Sequence, residues 1–270
     1  MFKRFFLLML ILLLVPVGCA HKKPEITGVT NLPITPITTP TEFRFSSFPE
    51  SKIVMQSYWA ANKEKESVLI VGGKAKAQES TDKNELIWDL DVLSMNVNNK
   101  KIKSDIPILS ILARSDLVGE ITKIAFTSPA LSREGKSLKS YTKFKTAMEH
   151  NISQYITTLR KAPVVSGDVL FYLNKSFLKG AKINKDIELQ TGPKLLGYSY
   201  LDEKKVVVAQ MNIFDMPVFS KVDHDLRLSI KAYYIFDAQN MQQIDGEAVC
   251  DLRDFTTGNQ VKVEIKNYVQ

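Results

Sequence analysis

Residues 226–237 read LRLSIKAYYIFD, and this segment alternates between apolar and mostly polar positions. The even-numbered positions are Leu226, Leu228, Ile230, Ala232, Tyr234 and Phe236. The positions between them include arginine, serine, lysine and aspartate. A period of two with one apolar face is typical of a half-buried antiparallel strand. The segment therefore predicts a sheet that has one face on a core and the other toward solvent.

The two segments that follow have the same pattern. Residues 244–252 alternate around Ala248 and Cys250, and residues 261–266 place Val261, Val263 and Ile265 opposite charged residues. The connections at 239–242 and 257–259 are short, which favours antiparallel pairing of consecutive strands. Because Cys250 lies on the apolar face, we expect its thiol to be buried and unreactive.

Strand-like runs extend through both halves of the chain. They cover residues 43–45, 53–59, 68–71, 74–78, 86–97, 106–112, 120–126, 169–173, 187–189, 195–200 and 206–214, and Gly72-Gly73 predicts a bulge. Residues 138–161 differ, because apolar residues from Leu138 to Leu159 recur at spacings of three and four and Pro163 follows. The sequence therefore predicts an α+β fold: a mainly antiparallel sheet, curved or in two layers, with one long amphipathic helix packed on it.

The N-terminus has the three-part order of an export signal. Lys3 and Arg4 precede an apolar run from Phe5 to Val17, and Gly18-Cys19 follows. The ending Pro16-Val17-Gly18-Cys19 resembles the lipobox of bacterial lipoproteins. That resemblance implies removal of residues 1–18, acylation of Cys19 and anchoring of the chain in a membrane. Ala20 follows the cysteine, which by similarity to Gram-negative lipoproteins implies the outer membrane.

Composition divides the rest of the chain into a tether and one domain. Residues 19–41 contain Pro24, Pro33, Pro36 and Pro40 with many threonines, which favours extended chain. Residues 42–270 have the length of a single globular domain. The formal charge of +7 includes Lys3 and Arg4, which leave with the signal. The modest excess that remains favours a soluble body and no nucleic-acid partner.

Basic residues are concentrated in the predicted helix and in the few residues before it. Lys136, Lys139, Lys143 and Lys145 are candidates for contact with an anionic surface, either lipid head groups or an acidic envelope protein. The other interpretation is a core helix with a solvated basic back. The two interpretations stay open at this point.

The sequence contains little that indicates catalysis. No phosphate-binding loop, dinucleotide motif or nucleophile elbow is present, so we expect neither an enzyme nor a cofactor. Asp223-His224-Asp225 is the densest cluster of titratable residues, and a solvated turn is its simplest interpretation. No histidine has a metal-ligand spacing. A third class of function, a hydrolase that acts on envelope material, would require that cluster, or Asp168 together with Asp215, to converge in a cleft.

Two binding functions remain. The first is an envelope-associated accessory or assembly protein that is held at the membrane surface and uses its own surface. The second is a carrier of lipid or another hydrophobic ligand, in a cavity between sheet and helix. The aromatic residues that are candidates for lining such a cavity are Trp59, Trp88, Phe171, Tyr198, Tyr234 and Phe236.

Overall fold

The computed structural model describes residues 32–61, 65–81, 84–97, 100–127, 129, 158–172, 192–218 and 225–270. Within these ranges the chain forms thirteen strands. They are β1 (Phe48–Ala61), β2 (Lys65–Glu79), β3 (Glu85–Val97), β4 (Lys100–Lys103), β5 (Leu109–Asp116), β6 (Ile121–Thr127), β7 (Thr158–Leu159), β8 (Phe171–Tyr172), β9 (Lys194–Leu201), β10 (Lys204–Val218), β11 (Leu226–Asp237), β12 (Gln243–Asp254) and β13 (Gln260–Val269).

Eleven of these strands form one antiparallel sheet. Its order is β6-β5-β3-β2-β1-β13-β12-β11-β10-β9, and β4 pairs with β3 beside this path. The first and last long strands, β1 and β13, are neighbours in the middle of the sheet. β7 and β8 form a separate two-stranded pair.

The α+β class predicted from the sequence is wrong, because every element of the described part is a strand. Most of the predicted helix at 138–161 lies outside the described residues. Its last turn is described and is not helical, since Thr158–Leu159 is strand β7. The Leu159 amide donates to the Val118 carbonyl at 2.8 Å, and β7 pairs with β8. Tertiary pairing thus overrides the helical spacing at this end.

The alternating pattern of β11 is continued by its neighbours, as the sequence predicted. Tyr234 pairs with Ala209 of β10 and with Gly246 of β12. On the other side of the sheet, Trp88 of β3 pairs with Ala77 and Ala113. Cross-strand partners share a face, so the apolar face is continuous across these strands.

The predicted bulge at Gly72-Gly73 is confirmed by a register shift between β2 and β3. A Cβ atom at Gly73 would lie 2.1 Å from the Asp91 carbonyl oxygen, so the close approach of the two strands requires glycine there. A bulge of this kind bends the strand that carries it and so contributes to the curvature of the sheet.

The sheet is curved so strongly that distant turns meet at one end. The consecutive amides of Phe45 and Ser46 donate to the carbonyls of Leu117 at 2.7 Å and of Asn240 at 3.3 Å. These two carbonyls therefore lie within about 10 Å of each other. They follow β5 and β11, which are six steps apart in the strand order, or roughly 29 Å in a flat sheet. We call this the closed end.

The strand pair β7–β8 connects the two outer parts of the sheet at the closed end. β7 is bonded to the β5–β6 turn through Leu159 and Val118. Just before β8, the Leu170 amide donates to the Pro193 carbonyl at 2.9 Å, and the Leu195 amide in β9 donates to the Asp168 carbonyl at 2.8 Å. Backbone hydrogen bonds thus continue from one side of the curved sheet to the other.

Residues 35–41, which belong to the predicted tether, are bonded to the sheet and to the β7–β8 loop. Thr35 and Tyr198 exchange two backbone hydrogen bonds of 2.8 and 2.9 Å, and Thr41 and Val164 exchange two of 3.0 and 2.9 Å. Ile37 is buried between these points. Proline-rich composition did not prevent packing, because the extended backbone of this segment finds its hydrogen-bond partners on β9 and in the β7–β8 loop.

Candidate functional site

An apolar cavity of about 180 Å³ lies inside the curved sheet, next to the closed end. It is partly open to solvent. Its lining comes from β1, β2, β3, β5, β11, β12 and β13 and from the segment before β1. The side chains and backbone that form it belong to Phe45, Phe48, Ile53, Val54, Met55, Val71, Gly73, Ala75, Trp88, Leu90, Asp91, Val92, Ile111, Phe236, Met241, Gln242, Gln243, Asn267, Tyr268 and Val269.

Trp88 is the most firmly held aromatic residue of the lining. Its indole Nε1–H donates to the Ser115 hydroxyl at 2.7 Å, and that hydroxyl is fully buried. Its ring has edge contacts with Phe45 and Phe48 at centroid distances of 5.2 and 5.8 Å. The hydrogen bond satisfies the indole nitrogen, so the large ring is fixed in place without an unpaired donor.

Two amide side chains interrupt the apolar lining. Gln243 pairs with Phe236 and therefore points to the same face, and Asn267 pairs with Met55 and Gly246. The Gln243 Nε2 and Asn267 Oδ1 atoms are buried and have no hydrogen-bond partner in the described structure. A donor and an acceptor are thus left unpaired in a cavity that is otherwise mainly hydrocarbon.

Basic side chains are absent from the described lining. Asp91 approaches the cavity with its backbone, since its carbonyl oxygen lies against Gly73. Its carboxylate is on the other face of the sheet, where Asp91 pairs with Lys74 and Ser110, and it accepts a hydrogen bond from the Ser110 hydroxyl at 2.5 Å. The cavity therefore offers apolar surface and neutral amide groups, and no cation that would hold an anionic head group.

The aromatic residues predicted to line a cavity have three different positions. Trp88 and Phe236 line it. Phe171, Tyr198 and Tyr234 belong to the adjoining core: the Phe171 ring contacts Tyr234 at 5.0 Å and Phe236 at 5.8 Å. The Tyr198 ring contacts Phe43 at 6.4 Å and has the Lys205 ammonium 3.6 Å from its centroid. Trp59 is in β1, and its side chain lies outside the described set.

Most of the other predicted site residues lie outside the described ranges. Lys136, Lys139, Lys143 and Lys145 lie outside the described residues, as do Cys19, Asp223 and His224. Contact between those lysines and an anionic surface stays a prediction. Asp225 is described, and its carboxylate accepts from the Arg227 Nε at 2.7 Å in an exposed ion pair.

Asp168 and Asp215 do not form a cleft. Asp168 bonds to the start of β9 at Leu195, which pairs with Ala209 of β10. Asp215 lies six residues farther along β10, or roughly 20 Å away. Its carboxylate is 3.6 Å from Arg227, whereas the Asp168 carboxylate is 3.8 Å from Arg160.

The Cys250 thiol is buried and free, as its place in the pattern of β12 predicted. Burial raises the pKa of Cys250 to about 12. Burial also raises the pKa of the Tyr234 hydroxyl. Both groups therefore stay protonated at neutral pH and have the character of core residues.

Comparison with known proteins gives only weak similarity. A LolA superfamily protein from Nitrosomonas europaea is 10% identical, with 83% of this chain and 88% of that one covered and a TM-score of 0.20. DynF from the dynemicin biosynthesis pathway of Micromonospora chersina is 9% identical, with 94% and 93% covered and a TM-score of 0.19. No protein-family model and no curated protein matches the chain. At these TM-scores neither structure informs the function of this chain.

Metal-binding clusters and membrane-spanning helices are both absent from the described ranges. In the part of the chain that the structure describes, no three histidine, cysteine, aspartate or glutamate residues are arranged to hold a metal ion. The same ranges contain no helix with the length and apolarity needed to cross a membrane.

Several lining residues were missed by the sequence interpretation. Phe45 and Phe48 lie in a segment that was assigned in part to a strand, and their partners are remote turns. Asn267 carried a detectable signal, because it is the polar member of the apolar series Val261, Val263, Ile265, Asn267 and Val269. A polar residue at an inward position of an alternating strand indicates a buried polar group.

Proposed function

We propose that the protein is an exported, membrane-anchored binding protein that holds a hydrophobic ligand inside its curved sheet. The observation that carries the proposal is the cavity at the closed end, which is lined by aliphatic and aromatic side chains. Concave sites with a mainly apolar lining and a few polar groups are the usual sites of small hydrophobic ligands. Export and anchoring are supported by the resemblance of residues 16–19 to a lipobox.

The size of the cavity limits the ligand. At about 180 Å³ it is slightly larger than an engineered cavity of about 150 Å³ that binds benzene, and smaller than the roughly 300–1,000 Å³ of pockets for drug-sized molecules. It therefore fits part of a single hydrocarbon chain, with the remainder of the ligand extending through the open side. A lipid with several chains is not accommodated as a whole.

Neighbouring residues of β2 provide a matched test. Val71 is buried and lines the cavity, whereas Ile70 lies on the opposite face of the strand. In Val71→Phe the added ring occupies ligand space, and in Ile70→Phe it does not. We expect Val71→Phe to abolish ligand uptake and Ile70→Phe to retain it. Val71→Leu adds less volume and tests the same point with less strain.

The assay uses the full chain in detergent-free nanodiscs and brominated acyl chains, which quench tryptophan on contact. A Trp59→Phe background leaves Trp88, in the lining, as the reporter. Quenching in the Ile70→Phe protein that disappears in Val71→Phe supports the proposal, provided that thermal melts show all variants folded. Equal quenching in the two variants, or none in either, contradicts it.

A further inference from the structure

The two unpaired amide atoms identify one end of the cavity as polar. Gln243 Nε2 is a buried donor and Asn267 Oδ1 is a buried acceptor, and neither has a hydrogen-bond partner within the described ranges. Buried polar side chains in folded proteins nearly always have a partner, because an unpaired group loses its hydration without compensation. A group supplied from outside the chain explains both atoms together.

The register of the sheet places the two amides close to each other. Gly246 pairs directly with Asn267, and a Cβ atom at Gly246 would lie 2.6 Å from Gln243 Nε2. Gln243 therefore extends over Gly246, whose paired residue on the neighbouring strand β13 is Asn267. The glycine leaves room for this arrangement, since any side chain at 246 would displace the glutamine amide.

The charges of the lining decide what kind of group fits. No lysine, arginine or histidine occurs among its described members. The Asp91 carboxylate does not offer a charge to the cavity either, because Asp91 pairs with Lys74 and Ser110 on the other face of the sheet. A carboxylate or phosphate in this place would be buried without a counter-ion, which is strongly unfavourable. A neutral group that both accepts and donates hydrogen bonds satisfies Gln243 and Asn267 at the same time.

We infer that the ligand is a single-chain amphiphile with an uncharged hydrogen-bonding group, such as an amide or an alcohol, which Gln243 and Asn267 bind. This inference rests on the proposed function and names the ligand class of the same cavity. The hydrocarbon chain contacts Trp88, Met55 and Val71, and the neutral group contacts the two amides. Selectivity among ligands of equal chain length then comes from the polar end.

The test compares three brominated probes of equal chain length: a fatty amide, the corresponding fatty acid and the corresponding alkane. Full chain with the Trp59→Phe substitution is titrated in nanodiscs at pH 8, where the fatty acid in solution is ionised. The signal of the Val71→Phe protein is subtracted for each probe, which removes partitioning into the lipid. We expect the amide to bind about tenfold more tightly than the alkane, as two added hydrogen bonds would give, and the acid to bind more weakly than the amide.

Two variants locate the effect. Asn267→Leu removes the acceptor and Gln243→Leu removes the donor, and each should reduce the preference for amide over alkane by several fold while alkane binding is retained. Each should also keep or raise the melting temperature of the ligand-free protein, since an unpaired buried group is lost. Should one variant fold poorly, the other still tests the inference.

The possible failures are distinguishable. Equal affinities for amide and alkane in the parent protein, or an unchanged preference in both leucine variants, overturns the neutral-head-group inference and leaves the hydrophobic cavity intact. A preference for the fatty acid over the amide also overturns it. Absence of specific quenching by every probe, the alkane included, contradicts the proposed function itself.

Discussion

Replacing Phe45 by alanine should destabilise the protein more than replacing almost any other residue outside the strands. The Phe45 side chain is 5% exposed, lines the cavity and packs edge-on against Trp88. Removing a buried phenylalanine side chain costs about 3–5 kcal/mol, and loss of the aromatic pair adds about 0.5–1.5 kcal/mol. The neighbouring cavity prevents collapse into the space, so we expect a loss of about 4–5 kcal/mol.

Urea unfolding of the full chain, followed by tryptophan fluorescence, measures this loss. The midpoint should fall while the dependence on urea stays the same, because the mutation changes stability and not the surface exposed on unfolding. Phe255→Ala is the matched control: this phenylalanine lies in the β12–β13 turn and is 60% exposed. We expect the control to change the free energy of unfolding by less than about 0.5 kcal/mol.

The result that would refute this reasoning is a similar effect of the two substitutions. A loss below about 1 kcal/mol in Phe45→Ala would mean that the segment before β1 does not pack inside the curved sheet. The cavity and the closed end would then both need to be reconsidered, since Phe45 contributes to each.

Three further predictions concern single groups. Asp202 and Glu203 have φ values of 46° and 67° in the two-residue β9–β10 connection. Glycine adopts a positive φ without the steric cost that other residues have, so Glu203→Gly should raise the free energy of unfolding by about 1 kcal/mol, as measured in thermal melts. The Glu247 carboxyl is buried on the outer face, and burial raises its pKa, with Asp245 and Glu264 adding to the rise and Lys266 opposing it. The folded state therefore holds this proton more tightly than the unfolded state, and stability is lost as pH rises through the folded pKa. Glu247→Gln should raise the melting temperature at pH 7 and give no gain at pH 4; a gain of equal size at both pH values would contradict this. With a pKa of about 12, Cys250 has a thiolate fraction of about one in ten thousand at pH 8, so iodoacetamide should label it only after unfolding in urea; rapid labelling of the native protein would show that the thiol is accessible.

Sequence patterns predicted the strands well where one face is buried and the other is solvated. β11, β12 and β13 were found because their inward residues, such as Ile230, Cys250 and Ile265, recur every second position. The bulge at Gly72-Gly73 was found because adjacent glycines in a strand have few other structural uses. These patterns depend only on residues that are close in the sequence, so they can be recognised without knowledge of the tertiary contacts.

The long-range contacts that form the cavity could not be predicted from such sequence patterns. The amide of Phe45 bonds to a turn that follows β5, and the amide of Ser46 bonds to one that follows β11. Nothing in the residues near position 45 encodes those partners. The helical spacing that ends at Leu159 was similarly overridden, because its amide is bonded to Val118. The cavity arises from such long-range contacts. Of the proposed aromatic residues whose side chains are described, Trp88 and Phe236 lie at its wall.

The central position of β1 has a consequence for biogenesis. Its neighbour β13 is far from it in the sequence, so one side of β1 lacks its native partner until residues 260–269 have been synthesised. Exposed strand edges pair readily with other chains, so this edge is open to non-native pairing until β13 is in place. A premature stop near residue 260 would remove β13, which lies in the middle of the sheet. The remaining strands would then form two separate halves.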